Sequence, residues 1–163
     1  MEITLKTLVL FSAILLTGLS AGLFFAWQVS VIPGTKRVQD SVYIETMQKI
    51  NRAIINPPFM LIFLGPLIVQ IISIVLYWNT SISLWLILGA TIFYGIGTVI
   101  VTGLGNVPLN DELDTLSLHE LSKEQIASER QHYEAKWNRL HLTRTTFAVL
   151  SFVLILFAAF FPS

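Results

Sequence analysis

The chain has 163 residues, of which 54% are hydrophobic and only 12% are charged, and its mean hydropathy is +0.71. Soluble domains carry about a quarter charged residues, so this composition excludes an ordinary water-soluble protein. A formal net charge of zero argues against a nucleic-acid partner, which requires a basic face. The absence of cysteine excludes disulfides and thiolate metal sites. We expect a single membrane domain over residues 1–163.

The charged residues fall into three groups that leave long apolar runs between them. Two lie within the first six residues, six lie between Lys36 and Arg52, and twelve lie between Asp111 and Arg144. A bilayer core about 30 Å thick needs roughly 20 apolar residues of helix, so the uncharged runs accommodate one, two and one spanning helices. We therefore predict an all-α integral membrane four-helix bundle, with spans at about 8–31, 58–78, 84–105 and 142–161.

The first polar segment, about residues 34–56, is loop 1 and is predicted to contain an interfacial helix from Ser41 to Asn56. Apolar side chains recur there at helical spacing and form one face: Tyr43, Met47, Ile50 and Ile54. Asp40 or Ser41 suits the N-cap of this helix, and Asn56 followed by Pro57 suits the start of the second span. The chain is thus expected to be helical on both sides of a short break.

The second polar segment, about residues 106–141, is predicted to contain a turn and then a helix. Asn106 and Pro108 suit a turn that ends the third span. Ser122 and Gln125 form a plausible capping box, and no Gly or Pro follows Gln125 until Pro162. The fourth span is therefore expected to begin as a helical extension outside the membrane.

The distribution of basic residues predicts the orientation. Nine of the ten Lys and Arg lie in the two polar segments and their flanks, and Lys6 is the tenth. By the positive-inside rule, loops 1 and 3 should be cytoplasmic and both termini outside. We thus predict a multi-pass protein of the cell membrane, in contact with membrane lipid, and leave its oligomeric state open.

Tyr133, Trp137, His141 and Arg144 lie along one stripe of the fourth helix. One interpretation is an aromatic belt at headgroup level, with Arg144 reaching the phosphates. The other is a site inside the bundle, because His141 can exchange a proton near neutral pH. A buried Arg144 would then need partners such as asparagine amides or Glu45.

Four asparagines are predicted to gather at the cytoplasmic ends of the second and third spans: Asn51, Asn56, Asn106 and Asn110. Each amide offers two donors and an acceptor without charge, so they suit ligand binding as well as capping and turns. Thr98 and Thr102 are suited to hydrogen bonds across the bundle or back to their own helix. No metal site is predicted, because no Glu-x-x-His pattern lies on an inward helix face.

Several segments together resemble the anthrone oxygenase family of small four-span membrane proteins, over about residues 15–150: Ala21–Trp27, Val31–Gly34, Met47–Arg52 with Asn56-Pro57, Asn106–Asn110, and Trp137–His141 with Arg144-Thr145. Fungal relatives are implicated in oxidising polycyclic anthrones to anthraquinones. These segments lie at one level of the predicted topology, which favours a shared pocket.

The resemblance implies an oxygenase for an apolar, polycyclic phenolic or quinone-like small molecule. On this interpretation His141 is the base and Arg144 the oxyanion partner. The predicted substrate-binding set comprises Trp27, Asn51, Asn56, Asn106, Asn110, Tyr133 and Trp137. No cofactor is predicted, with haem, flavin and quinone left open. The alternative is a non-catalytic bundle that binds a lipid or serves as an accessory subunit.

Overall fold

The structure, a computed structural model, describes residues 4–79 and 81–161, with only the backbone at position 81. Its long helices are α1 (Leu5–Thr35), α2 (Asp40–Ala53), α3 (Pro57–Leu76), α4 and α5 (Lys123–Ala158). Helix α4 comprises four consecutive helical segments: Ser81–Ile92, Phe93–Ile100, Thr102–Asn106 and Val107–Asp114. A single 3-10 turn at Leu118–Glu120 precedes α5.

Helices α1, α3, α4 and α5 are each long and apolar enough to cross a membrane. The described residues contain no strand. Large apolar side chains cover the outside of this bundle, among them Phe11 at 61%, Leu104 at 80% and Trp85 at 72% exposure. A soluble protein would bury such side chains, whereas lipid solvates them. The predicted all-α four-helix membrane bundle is confirmed.

Helices α1 and α4 extend beyond the predicted ends of the first and third spans. The predicted turn at Asn106 and Pro108 is wrong, because α4 continues to Asp114. A π-helical turn precedes each of the two prolines, Pro33 and Pro108. Before Pro33, the Ile32 N–H donates to the Trp27 carbonyl, five residues back. Before Pro108, the Val107 N–H donates to the Thr102 carbonyl, also five residues back. The wider turn lets the helix continue past a residue that has no N–H.

Hydrogen bonds and small residues hold the spans together. Gln70 on α3 donates to Thr17 on α1 at 2.9 Å and to Ser151 on α5 at 3.2 Å. Gly97 on α4 lies directly against the Phe147 ring of α5, with no room for a methyl group. Small residues allow such close approach of helix backbones in lipid. Helices α4 and α5 are thus closely packed beside the functional site.

Helix α2 confirms the predicted loop 1 helix, but its cap differs from the prediction. Its N-terminal half buries Tyr43, Ile44 and Met47 against α1, α4 and α5. Gln39 occupies the N-cap position without a side-chain bond. The prediction that Asp40 or Ser41 is the N-cap is therefore wrong, and Asp40 instead accepts a bond from Arg130 Nη1 at 2.9 Å. The carboxylate gains more from this charged donor than from a backbone N–H.

Helix α5 is one unbroken helix of 36 residues and begins with the predicted capping box of Ser122 and Gln125. Its buried Arg130 donates to the carbonyl of Thr35, the last residue of α1, at 3.1 Å and to that of Val38, just beyond α1, at 2.7 Å. It also pairs with Glu134 on its own helix at 3.0 Å. Arg130 therefore fixes the end of α1 to α5, about two turns before Trp137, the first residue of α5 in the cavity wall.

Candidate active site

A cavity of about 390 Å³ lies where the end of α1, α2 and the start of α3 meet the last turns of α4 and the middle of α5. Its volume falls within the range of small-molecule sites. Its walls are largely apolar and include Phe24, Trp27 and Phe63. Such a cavity suits a mostly apolar small molecule.

The predicted stripe on α5 faces the inside of the bundle. Relative exposures are 3% for Tyr133, 4% for Trp137, 0% for His141 and 8% for Arg144. The Trp137 and His141 rings stack almost in parallel, 6° apart with centroids 5.0 Å apart, and Tyr133 stacks on the other side of Trp137 at 6.3 Å. This burial excludes the aromatic belt, whose side chains would face the lipid headgroups.

Arg144 is a buried cation held by neutral partners. Its Nε and Nη2 donate to His141 Nδ1 at 3.1 and 2.9 Å, and its Nη1 donates to Thr102 Oγ1 at 3.3 Å. Its Cζ lies 4.7 Å from the centroid of the Phe24 ring. The ion pairs of residues 4–79 and 81–161 do not include Arg144, and the predicted partner Glu45 pairs with Lys49 instead at 2.6 Å. The suggestion that Glu45 satisfies Arg144 is therefore wrong.

The hydrogen bonds of His141 determine which of its nitrogens carries the proton. Arginine can only donate, so Nδ1 accepts from Arg144. Nε2 therefore carries the proton and donates to the Phe24 carbonyl at 3.1 Å. His141 is thus a neutral imidazole with both nitrogens engaged, and its single lone pair faces the guanidinium.

Arg144 keeps hydrogen-bonding capacity for a ligand. A guanidinium has five N–H donors, of which the three bonds to His141 and Thr102 use three. Both Arg144 and His141 line the cavity. A buried positive charge without a carboxylate partner is costly unless an anionic group approaches it. The arrangement is therefore suited to binding an oxyanion at the inner end of the cavity.

Asn51 on α2 and Asn110 on α4 also line the cavity, joined through Tyr133. Asn51 Nδ2 donates to the Tyr133 oxygen at 3.3 Å, and the Tyr133 hydroxyl donates to Asn110 Oδ1 at 2.9 Å. Trp137 Nε1 donates to the same Asn110 oxygen at 2.9 Å. These bonds connect three helices behind the cavity wall.

Three members of the predicted binding set lie outside the cavity wall. Asn56 caps α3, as predicted, by accepting from the Phe59 N–H at 3.0 Å. Asn106 is buried in α4, where Nδ2 donates to the Trp137 carbonyl at 3.4 Å and Oδ1 has no partner. Tyr133 supports the wall through the two asparagines. Direct substrate contact is thus available to Trp27, Asn51, Asn110 and Trp137, and their role in binding stays a prediction.

The structure adds residues that the sequence did not assign to the site. The Phe24 carbonyl and ring contact His141 and Arg144, and no sequence signal identifies a carbonyl acceptor. Of the two alternatives for Thr98 and Thr102, both residues form the bond across the bundle: Thr98 donates to the Arg144 carbonyl at 3.2 Å, and Thr102 accepts from Arg144 Nη1. At the mouth, Arg52 on α2 pairs with Asp114 on α4 at 2.7 Å, with Asp111 beside them in the wall. Both polar segments therefore contribute to the opening of the cavity.

Potential metal ligands are dispersed over residues 4–79 and 81–161. No group of three or more His, Asp or Glu is placed there to hold an ion. The carboxylates of the cavity, Asp111 and Asp114, lie at its mouth, where Asp114 pairs with Arg52. The remaining polar groups are two amides, the Thr102 hydroxyl, the Arg144 guanidinium and an imidazole whose lone pair already accepts a hydrogen bond. These groups suit an anionic or hydrogen-bonding organic ligand.

Fold and site together define an integral membrane protein of four spanning helices with a buried arginine in an apolar cavity. Residues 59–154 match the sequence family described as anthrone oxygenase. This match covers more than half of the chain, from α3 through most of α5, and includes His141 and Arg144. The chain belongs to the anthrone oxygenase family. No curated protein and no solved structure matches it.

Proposed function

We propose that this protein is a membrane oxygenase that oxidises an anthrone-like polycyclic ketone to the corresponding quinone. The observation that carries the proposal is Arg144, a buried guanidinium without a carboxylate partner at the end of an apolar cavity. Family membership supports the same chemistry. An anthrone becomes an anion when it reacts, so a cation placed in an apolar site stabilises the reactive form.

The overall reaction consumes one O₂ per anthrone and yields one quinone and one water. A proton leaves the methylene carbon opposite the ketone, and the electron pair of that C–H bond becomes an enolate with its charge largely on oxygen. O₂ takes electrons from the enolate and bonds to the same carbon, and the resulting peroxide anion takes the proton back to become a hydroperoxide. The remaining hydrogen of that carbon then leaves with the terminal OH as water, which breaks the O–O bond and forms the second carbonyl. The protein's tasks are to stabilise the enolate and to accept the proton.

Arg144 and His141 share these two tasks in our proposal. In the structure the lone pair of His141 Nδ1 accepts from Arg144, so His141 is not a free base. When a substrate oxygen reaches the guanidinium, the Arg144 N–H groups can donate their hydrogen bonds to that oxygen and no longer to His141. Nδ1 is then free to accept the substrate proton. The enolate offsets the repulsion between the two cations, so proton transfer and oxyanion binding support one another.

The walls determine how the substrate lies. Trp27 and Trp137 lie side by side at the α1–α5 side of the cavity, with ring centroids 6.1 Å apart and ring planes tilted by 50°. Aromatic walls favour flat ring systems through stacking. At the rim, Ile55, Met60 and Val107 are 75%, 40% and 42% exposed. These apolar rim residues suit access from the lipid phase, where such a substrate dissolves.

Oxygen consumption by purified protein tests the proposal. In detergent, wild type should take up one O₂ per anthrone added and form anthraquinone, well above the uncatalysed rate. Arg144→Gln should lose most of this rate, and Arg139→Gln, an exposed change one turn away, should keep it. Binding of anthrone without protein-dependent O₂ uptake would reject the oxygenase and leave a non-catalytic ligand-binding bundle.

A further inference from the structure

The hydrogen bonds around Asn51 and Asn110 determine which end of each side-chain amide is the oxygen and which is the nitrogen. Indole N–H is a donor only, so the Asn110 atom bonded to Trp137 Nε1 must be its oxygen. The Tyr133 hydroxyl meets this same oxygen and must donate to it. The Tyr133 oxygen can then only accept from Asn51, which must present its nitrogen. These three hydrogen bonds therefore fix the orientation of both amides.

Each amide consequently has one end left over. Asn110 Nδ2 and Asn51 Oδ1 make no hydrogen bond within residues 4–79 and 81–161. Neither Asn110 Nδ2 nor Asn51 Oδ1 is fully buried, so a small molecule can reach both atoms. Both residues line the same cavity as Arg144. The cavity wall therefore offers a donor, Asn110 Nδ2, and an acceptor, Asn51 Oδ1. Both side chains are held by the Tyr133 hydroxyl, which lies 2.9 Å from Asn110 Oδ1 and 3.3 Å from Asn51 Nδ2.

We infer that Asn51 and Asn110 form a second polar subsite, which recognises a ring hydroxyl of the ligand. One hydroxyl can accept from Asn110 Nδ2 and donate to Asn51 Oδ1, which satisfies both amide ends. A ligand without this hydroxyl leaves both ends unpaired when it displaces water, which costs binding free energy. The inference deepens the proposed function and rests on it for the class of ligand. Tyr133 and Trp137 act as positioning residues.

Binding of unreactive quinones tests the subsite without turnover. The probes are anthraquinone and its 1-hydroxy and 2-hydroxy derivatives, at a pH below that at which their hydroxyls ionise, with tryptophan quenching as the readout. Two hydrogen bonds of ordinary net strength predict that one hydroxy isomer binds wild type about tenfold more tightly than anthraquinone. Equal affinity for all three ligands would overturn the inference.

Asn51→Leu removes the acceptor and keeps the side-chain volume similar. It should reduce the hydroxyl preference to roughly threefold or less, and the Kd for anthraquinone should not rise, because the variant removes an acceptor that anthraquinone leaves unpaired. Tyr133→Phe is the second variant, because it releases Asn51 while Trp137 still holds Asn110; it should lower the preference in part. Asn56→Ser keeps a capping side chain outside the cavity and should retain the full preference. Undiminished preference in both cavity variants would overturn the inference.

The subsite and the oxygenase fail in distinguishable ways. Selective binding of a hydroxy isomer with no O₂ uptake on anthrone would reject the oxygenase and keep the subsite. O₂ uptake on anthrone with no hydroxyl preference in binding would reject the subsite and keep the oxygenase.

Discussion

At the scale of single residues, the site depends on one hydrogen-bonded pair. His141 and Arg144 lie one turn apart on α5, and the imidazole lone pair accepts from the guanidinium at 2.9 Å. The pair holds the cation in the cavity and keeps the imidazole neutral. Phe24 supports both, through its carbonyl to His141 and its ring to Arg144. Substitutions of these residues should therefore separate binding, charge and proton transfer.

His141→Gln tests the base. Glutamine can accept from Arg144, as Nδ1 does, but cannot take a proton near neutral pH. Turnover of anthrone, measured as O₂ uptake, should fall by a factor of about 10² or more, the usual scale for a lost general base. The unfolding temperature should change little. A variant that keeps nearly the wild-type rate would show that His141 only positions Arg144.

Arg144→Lys tests the guanidinium fork. Lysine retains the charge but cannot bond to His141, Thr102 and a substrate oxygen in one plane. The O₂ uptake rate should fall roughly tenfold or more, since a charge-assisted hydrogen bond contributes about 1.5–3 kcal/mol. Arg139→Lys, an exposed change on the same helix, is the matched control and should keep the wild-type rate. Equal rates in the two variants would argue against the fork.

At the scale of helices, two π-helical turns position the cavity. They lie at Trp27–Val31 and Thr102–Asn106, where they provide Trp27 and Thr102 to the wall. Each π turn rotates the following helix by adding a residue, so α1 and α4 continue past Pro33 and Pro108 in a new direction. The last turns of α4 thereby bring Asn110 and Asp114 to the cavity and its mouth.

Close packing of α4 on α5 supports this arrangement, and Gly97 tests it. A methyl group at Gly97 would overlap Cβ and Cγ of Phe147, which cannot move without shifting α5. Gly97→Ala should destabilise the protein by roughly 1–3 kcal/mol, the range for overpacked cores. Gly103→Ala is the control, because nothing lies within 4 Å of the added carbon. Thermal unfolding in detergent should show a lower midpoint for the first variant only.

Much of the helical architecture could be predicted from the sequence, because charge and proline patterns determine helices locally. The uncharged runs identified the four spans, and Ser122 with Gln125 identified the start of α5. The break expected at Pro108 was wrong, since the π turn that accommodates this proline depends on packing against α5. Asp40 likewise does not cap α2, because its carboxylate bonds to Arg130, which lies 90 residues later in the sequence.

The site was predictable where it follows helical spacing and not where it depends on contacts between helices. The α5 stripe from Tyr133 to Arg144 followed from spacing, and the structure buries all of it. All four asparagines were predicted to bind the substrate, but only two of them line the cavity. These are Asn51 and Asn110, whereas Asn56 and Asn106 lie outside its wall. Their positions depend on the rotation of α2 and α4, which a sequence pattern does not determine.

At the scale of the whole molecule, the cavity lies near the end of the bundle that carries α2 and the first half of α5. Nine of the ten Lys and Arg lie in or beside these segments, within residues 36–52 and 123–144, and the positive-inside rule predicts that this end is cytoplasmic. The opposite end carries Trp78 and Trp85, 66% and 72% exposed, as expected at an interface. The cavity would then open at the cytoplasmic level of the cell membrane.

Single cysteines test this orientation, since the chain has no cysteine of its own. Asn79→Cys should react with an impermeant thiol reagent added to intact cells, whereas Ser128→Cys should react only after the membrane is made permeable. Both positions are exposed in the structure. Labelling of position 128 in intact cells, with position 79 protected, would reverse the predicted topology.

The central claim is that Arg144 stabilises the anionic form of the substrate. Without O₂, anthrone bound to the protein cannot be oxidised, and its conjugated enolate absorbs at longer wavelength than the ketone. An anaerobic pH titration of the bound ligand therefore measures this stabilisation directly. Because a nearby cation favours the charged form, ionisation in wild type should occur roughly one to three pH units below that in Arg144→Gln, with Arg139→Gln matching wild type. Identical titrations in wild type and Arg144→Gln would contradict the account.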